Sequence, residues 1–376
     1  MKYKKLILVI LLIIILFTIS GCESIASSQY IYLTESFSIN PYIVLYDDLK
    51  ESDYKLIESK CNDLLNELDN KYNVNKQDSL ITKINDEAYD HEVIIDEEFA
   101  SLINLAISCN KEISNKFDIS IYPLTELWDF KNKYYLRSEN KFEEIPSDES
   151  IKNTLEKVGI ESIVLSKNKN DEGQTINTVK FTKEGTKIDL GSLVKGLAAD
   201  YIVKILKDCG ANFGIVNVGG NVCVFGNRKY NVGITTPFHE ELSDNNSIIG
   251  YITTDEKDYS LVTSGTYERY IKTSDGKMYH HILDPFTGYP VESDMMSITI
   301  ITSYSDDMSL LADELSTSLF TLGIDKALEY INSVTGLEAI IISTDKKIIL
   351  SNGVINGTLS FTFNEDLSSV GYSIGR

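Results

Sequence analysis

The sequence predicts an α+β domain in which a mainly antiparallel sheet packs against helices. Two observations carry this. Amphipathic runs with apolar residues three and four apart are mixed irregularly with short β-branched runs, and neighbouring β runs are separated by polar or glycine turns, as in antiparallel hairpins. A third excludes the main alternative: neither G-x-G-x-x-G nor G-x-x-x-x-G-K-[ST] occurs, so a standard Rossmann or P-loop reading fails. With 43% hydrophobic and 24% charged residues in 376, the chain can bury a large core. No Pro/Gly/Ser linker or internal repeat divides it, so one large domain is expected.

Residues 1–5 are basic and 6–19 form an apolar run too short for a comfortable membrane span. The run ends in Ile19-Ser20-Gly21-Cys22, which looks like a bacterial lipobox. Cleavage before Cys22 would leave a lipidated cysteine; an uncleaved leader would itself be the anchor. In both cases the body is expected on the extracytoplasmic face of the cell membrane. The expected organisation is a lipoprotein signal peptide at 1–21, a polar spacer at 22–36, the folded domain at 37–353, and a terminal strand or tail at 354–376.

The next elements follow in order. Residues 42–46 form a strand, and Leu56, Ile57, Cys61, Leu64, Leu65 and Leu68 mark one face of a helix. A polar stretch holding Tyr72, Ser79 and Asn85 leads to a second helix near 96–113. Residues 129–150 lack a period and read as a surface excursion, with a third helix near 147–158. The runs 163–165 and 178–182 should pair as a hairpin. Residues 187–192 read as strand, tight turn and helix start, the helix stopping at Gly210. Such a turn offers free N–H groups and a positive dipole end to a phosphate or carboxylate, although every turn of this kind does. Residues 214–226 read as two strands broken by Gly219-Gly220. Strands recur at 251–271 and 297–301, before a last long helix near 312–322.

The formal charge is −21, and a leader carrying three lysines and no acid makes the rest more acidic still. That surface repels nucleic acid and anionic lipid headgroups, which argues against a DNA, RNA or peripheral membrane-binding role. Cys61, Cys109, Cys209 and Cys223 lack metal-site spacing; a disulfide or buried thiols both suit them. Two of the four histidines, His280 and His281, adjoin the turn chemistry of Asp284-Pro285 and Thr287-Gly288, and fit either loop or chemical roles. Asp313, Ser316 and Thr317 share one helix face and offer hard oxygen ligands, but Asp with Ser or Thr in a first turn is also ordinary capping.

These signals occur together in an ordered series. Phe117-Asp118 with Pro123-Leu124 and Leu127-Trp128, Asp189-Leu190-Gly191 with Lys195-Gly196 and Asp200, and Asn217-Val218-Gly219-Gly220-Asn221 are three of its members. Thr263-Ser264-Gly265 with Tyr267-Glu268-Arg269, His281-Ile282-Leu283-Asp284-Pro285 with Thr287-Gly288, and Ala312-Asp313 with Leu315-Ser316-Thr317 complete it. The series resembles that of the FAD:protein FMN transferases, the ApbE or flavin transferase family. The resemblance implies an ApbE-like fold related to the T-fold, and a Mg²⁺-dependent transfer of FMN from FAD, as substrate, to a threonine of an acceptor protein, with release of AMP. It also implies residue roles. Asp313 and Thr317 would be metal ligands, with Ser316 near them and Ser192 contributing its backbone carbonyl. Tyr72, Lys116, Phe117, Asp118, Asp189, Lys195 and Leu283 would hold FAD. His281 would move the threonine proton, and Asp313 would also be catalytic through the metal.

Two departures stand out. Phe37-Ser38-Ile39 occupies the place of the family's M-G-T, and Asn115-Lys116 replaces small residues before Phe117. Hydrolysis of FAD to FMN and AMP, or flavin binding without catalysis, are the competing readings. Asn85 matches the transferase pattern at a position where the family's choice of reaction is sensitive. The compartment makes an extracytoplasmic electron-transfer protein the expected class of acceptor.

Overall fold

The computed structural model describes residues 28–134, 141–169, 172–242, 247–303, 308–357 and 359–375. The expected signal peptide and Cys22 lie outside these residues. Strand β1 (Gln29–Tyr32) pairs antiparallel with β2 (Tyr42–Leu45), so part of the segment expected to be a spacer belongs to the sheet. Ile31 and Leu33 explain this: they alternate inward and are buried in the main core.

The chain then leaves the sheet for its longest excursion. Helix α1 (Glu51–Tyr72) buries Ile57, Cys61, Leu65 and Leu68, while Leu56 faces solvent. The polar stretch after it forms a helix of its own, α2 (Leu80–Glu87), whose N-terminus is capped by the Ser79 hydroxyl. Strand β3 (Val93–Ile95) precedes α3 (Glu97–Glu112), capped by Asp96. Short helices α4 (Tyr122–Trp128), α5 (Phe130–Lys133) and α6 (Asp148–Leu155) follow. Strands β4 (Ile163–Lys169) and β5 (Thr175–Phe181) form the expected hairpin, with β3 on the other side of β5. Helix α7 (Gly191–Asp208) returns the chain to the large sheet.

There, β6 (Gly214–Val218) and β7 (Asn221–Phe225) turn through Gly219 and Gly220, at φ 60° and 93°. Next come β8 (Asn231–Thr235), β9 (Ile248–Thr253), β10 (Tyr259–Gly265), the small hairpin β11 (Tyr270–Lys272) and β12 (Met278–His280), and β13 (Met295–Ser303). Helix α8 (Met308–Phe320) starts earlier than the sequence suggests and is not the last, since α9 (Ile324–Ser333) follows. Strands β14 (Leu337–Ser343) and β15 (Lys347–Leu350), helix α10 (Asn352–Ile355), and strands β16 (Ser360–Phe363) and β17 (Ser373–Ile374) complete the fold.

Nine strands form one sheet in the order β1-β2-β6-β7-β10-β13-β14-β15-β17. Every neighbour is the next sheet strand along the chain, and all pairs are antiparallel except β15 with β17. The sheet is therefore a meander with insertions; most of them cover its faces, while the β11–β12 hairpin and helices α4 and α6 share a separate small core around Leu124, Trp128, Ile151 and Ile271. Ile43, Val216, Val262, Ile298 and Ile300 meet α1, α7 and α8 in the main core. On the other face, Val224, Leu261, Ile301 and Ile340 meet the small sheet β16-β9-β8. Leu359, Leu367 and Tyr372 are buried in that second core, so the C-terminal segment packs as part of the domain. The mixed, mainly antiparallel α+β architecture is the one the sequence predicts. Among the described residues all four body cysteines are unpaired, and only Cys209 is partly exposed.

Candidate active site

Helices α7 and α8 cross at Gly196, where a Cβ would lie 2.2 Å from the Ser309 carbonyl oxygen. Only glycine permits this approach. The Gly196 N–H donates to Asp313 Oδ2 at 2.9 Å, and the buried Asp200 carboxylate accepts the N–H groups of Ser309 and Leu310 at 3.2 and 3.0 Å. The K-G-x-x-x-D spacing on α7 thus locks the start of α8 and aims Asp313. Because α8 begins at Met308, Asp313, Ser316 and Thr317 lie inside the helix, where capping does not account for them.

Beside this crossing opens a cleft of ≈ 560 Å³. Asp313 and Thr317 from α8, Ser192 and Lys195 from α7, Asp189, and Thr263 and Ser264 from β10 line one part of it. Tyr72, Lys116, Phe117, Asp118, His281 and Leu283 also border it. Among the described residues, every site residue expected from the sequence lines the cleft except Ser316. Ser316 is fully buried: its hydroxyl donates to the Asp313 carbonyl at 2.9 Å and pairs with the Ser264 hydroxyl at 2.8 Å. Ser264 also lies 3.2 Å from Thr317 Oγ1, so Ser316 supports the wall from behind.

Several expected contact residues are committed to the protein itself. The Tyr72 hydroxyl donates to Glu98 at 2.6 Å and its ring stacks on Phe99; burial and the Glu98 charge push its phenol far up. Asp118 accepts from Ser120 N–H, the Ser120 hydroxyl and Ile160 N–H, while burial raises its carboxyl. Lys116 pairs with Asp284 at 2.5 Å and lies 5.2 Å over the Phe286 ring. Asp189 accepts the Gly191 N–H at 2.8 Å; burial raises its carboxyl against the pull of that bond and of Arg269. Asn85 does not line the cleft. Its amide clamps Ile188, donating to the carbonyl at 2.9 Å and accepting the N–H at 2.7 Å, and so fixes the residue next to Asp189.

His281 Nδ1 lies 3.2 Å from the Arg269 carbonyl oxygen. A carbonyl only accepts, so Nδ1 carries the hydrogen and Nε2 keeps its lone pair. Burial, with the neighbouring His280, Arg269 and Lys195, holds His281 down to about 3, so it is neutral at pH 7. His280 instead meets the Val291 carbonyl at 3.0 Å and the edge of Phe320. The charges of Lys195 and Arg269 fall on both His281 and Glu268, which places these side chains in one corner of the cleft with Asp313.

The T-S-G-x-Y-E-R pattern by itself gives Thr263, Ser264, Glu268 and Arg269 no site role, yet all four line the cleft. Phe37 and Ile39 also line the cleft, from the tip of the β1–β2 hairpin. Phe37 and Ser38 have φ of 53° and 61°, between reciprocal backbone bonds joining Ser36 and Ile39. This tight turn keeps its left-handed geometry without the family's glycine.

Asp313 Oδ1 faces Lys195 Nζ at 3.7 Å, beyond hydrogen-bond reach, and the Thr317 hydroxyl lies one helical turn on. The Asp313 carboxylate, the Thr317 hydroxyl and Ser192, all lining this cleft, offer hard oxygen donors of the kind Mg²⁺ takes. Among the described residues no cluster of three His, Cys, Asp or Glu side chains offers a metal site of another kind.

An α+β fold with basic side chains, a helix N-terminus and hard oxygen donors around one cleft defines a protein suited to phosphorylated ligands. Its relatives narrow this class: the ApbE family profile matches residues 36–341, and the chain belongs to that family. A FAD:protein FMN transferase of Klebsiella pneumoniae (strain 342) is 30% identical over 79% of this chain and 85% of its own length. One from Treponema pallidum (strain Nichols) is 27% identical over 78% of each. The solved Vibrio cholerae flavin transferase ApbE superposes with TM-score 0.71 at 20% identity, covering 88% of this chain and 99% of that one. The Thermotoga maritima ApbE protein gives 0.67 at 28% identity, covering 92% and 100%.

Proposed function

We propose that this enzyme transfers FMN from FAD to a threonine hydroxyl of an acceptor protein and releases AMP. The observation that carries this reading is the convergence of Asp313, Thr317, Lys195, Arg269 and neutral His281 on one cleft of the ApbE fold. When bound by Asp313, Thr317 and the Ser192 carbonyl, Mg²⁺ would offset pyrophosphate charge and make phosphorus more electrophilic. Lys195 and Arg269 add fixed positive charge where negative charge builds in the transition state. His281 Nε2 accepts the threonine proton, and an anionic pyrophosphate beside it raises its proton affinity. Threonine oxygen then bonds to the FMN-side phosphorus as the bond to the AMP phosphate breaks. Phe37, Ile39 and Tyr122 supply apolar cover for a flavin ring.

We further assign the chain to the lipoproteins, tethered through Cys22 on the extracytoplasmic face, with an electron-transfer protein of that compartment as acceptor. The leader sequence and lipobox support this assignment. Chromatography of reactions containing FAD and Mg²⁺, with and without acceptor, tests the transfer. AMP should appear only with acceptor and without matching free FMN; equal AMP and free FMN in its absence would instead identify a hydrolase.

A further inference from the structure

The nine-stranded sheet is covered unevenly. Its second core runs from Val224 on β7 through Leu261, Ile301 and Ile340 to Ile348 on β15, with Ile215 of β6 packed against it, and no residue of β1 belongs to it. On this uncovered edge Tyr30 and Tyr32 are 52% and 73% exposed. Their rings stack 6.3 Å apart, and Tyr32 lies 6.4 Å from its cross-strand partner Tyr42. Ile31 and Leu33 point to the core from the alternate positions, so a one-residue slip would expose them and bury the tyrosines. The outward register is therefore fixed. An edge strand with exposed aromatic rings is an aggregation hazard unless something covers it.

The sequence before β1 indicates what that is. Gln29 follows Cys22 by seven residues, which span at most about 25 Å when fully extended. A lipid on Cys22 would hold this edge at the membrane surface. Tyrosine suits that layer, since its ring enters the apolar boundary while its hydroxyl stays among headgroups. Strand β1 carries no charge, so contact would come from ring insertion rather than attraction to anionic lipid.

We propose that the Tyr30–Tyr32–Tyr42 edge lies against the headgroup layer of the membrane, a reading that rests on the lipoprotein assignment through Cys22. The same hairpin ends in Phe37, which lines the cleft and lies five residues beyond Tyr32, at most about 18 Å of chain. Docking by this edge holds the cleft near the bilayer. It thereby favours acceptors whose threonine lies close to the membrane.

The test uses the full lipidated chain in phosphatidylcholine vesicles, with and without brominated acyl chains. Trp128, the sole tryptophan, is fully buried and gives a background that the lipid should leave unchanged. Tyr32→Trp, and separately Tyr30→Trp, should add emission that is lost in brominated lipid and kept in unbrominated lipid. Vesicle flotation and the mass of the N-terminal peptide report the anchor independently. If the chain floats and Cys22 is acylated but neither reporter is quenched, the edge faces water; the proposal is overturned while the anchor stands. Unmodified Cys22 with no flotation removes the anchor and the proposal together, without touching the transferase assignment. A reporter that responds to an acceptor protein but not to brominated lipid overturns the proposal in favour of a protein-pairing edge.

Discussion

Gly196→Ala tests whether the α7–α8 crossing sets the chemistry. The added methyl would lie 2.2 Å from the Ser309 carbonyl oxygen, 2.6 Å from its carbonyl carbon and 2.7 Å from Leu310 Cα. All three are backbone atoms, so no rotamer change relieves the contact, and the helices must separate by about 1 Å to restore ordinary van der Waals distance. Overpacking of this kind costs about 1–3 kcal/mol, while the better helix propensity of alanine returns about 1 kcal/mol. A fall of a few degrees in Tm should result. The effect on rate should be larger, because Gly196 N–H holds Asp313 Oδ2 and Asp313 moves with α8. A displacement near 1 Å at the reacting centre lowers kcat by about 10²-fold. The assay is FMN transfer at saturating FAD, far below Tm, with circular dichroism confirming the fold. Transfer within about threefold of the parent rate, with unchanged Tm, would refute the reasoning.

Other outcomes follow from the same contacts. Ser38→Gly should raise Tm by about 2 °C, because a left-handed φ of 61° costs a non-glycine residue about 1 kcal/mol; a lower Tm would contradict the turn. Asn85→Ala removes both bonds to Ile188, at about 1 kcal/mol each, and should weaken FAD binding in a flavin titration; unchanged stability and affinity would count against the clamp. His280 is held down to about 4 by burial, below its ordinary 6.5, so the unfolded chain binds a proton that the folded chain does not. Its contribution is complete above pH 6.5 and is lost as pH falls toward 4, by about 3 kcal/mol across that window. Denaturant titrations of His280→Gln should show a shallower acid slope there, and an identical slope would contradict the assignment.

The sequence and the structure agree most closely where chemistry and spacing coincide. Asp313 and Thr317 are four apart and do share the cleft-facing side of α8, and Lys195 lies beside them. What pattern alone could not show is how each polar group is satisfied. Ser316 has the same helical spacing but turns toward Ser264. Tyr72 and Asp118 border the cleft while their polar groups serve Glu98 and the turn at Ser120. Gly196 and Asp200 read as motif letters, yet their physical role, locking two helices, depends on a segment more than a hundred residues away. The entry of β1 into the sheet was hidden because Ile31 and Leu33 are only two apolar residues in a polar, aromatic stretch. The turn at Phe37-Ser38 was hidden because a left-handed pair is usually signalled by Asn or Gly.

The central assignment is tested most directly by the intact mass of a threonine-bearing acceptor domain after incubation with the enzyme, FAD and Mg²⁺. The acceptor should gain one FMN, and the gain should vanish both with Asp313→Ala and when the acceptor threonine is replaced by valine. An acceptor modified equally by Asp313→Ala, or one left unmodified by the parent enzyme while FAD is consumed to free FMN and AMP, would contradict it.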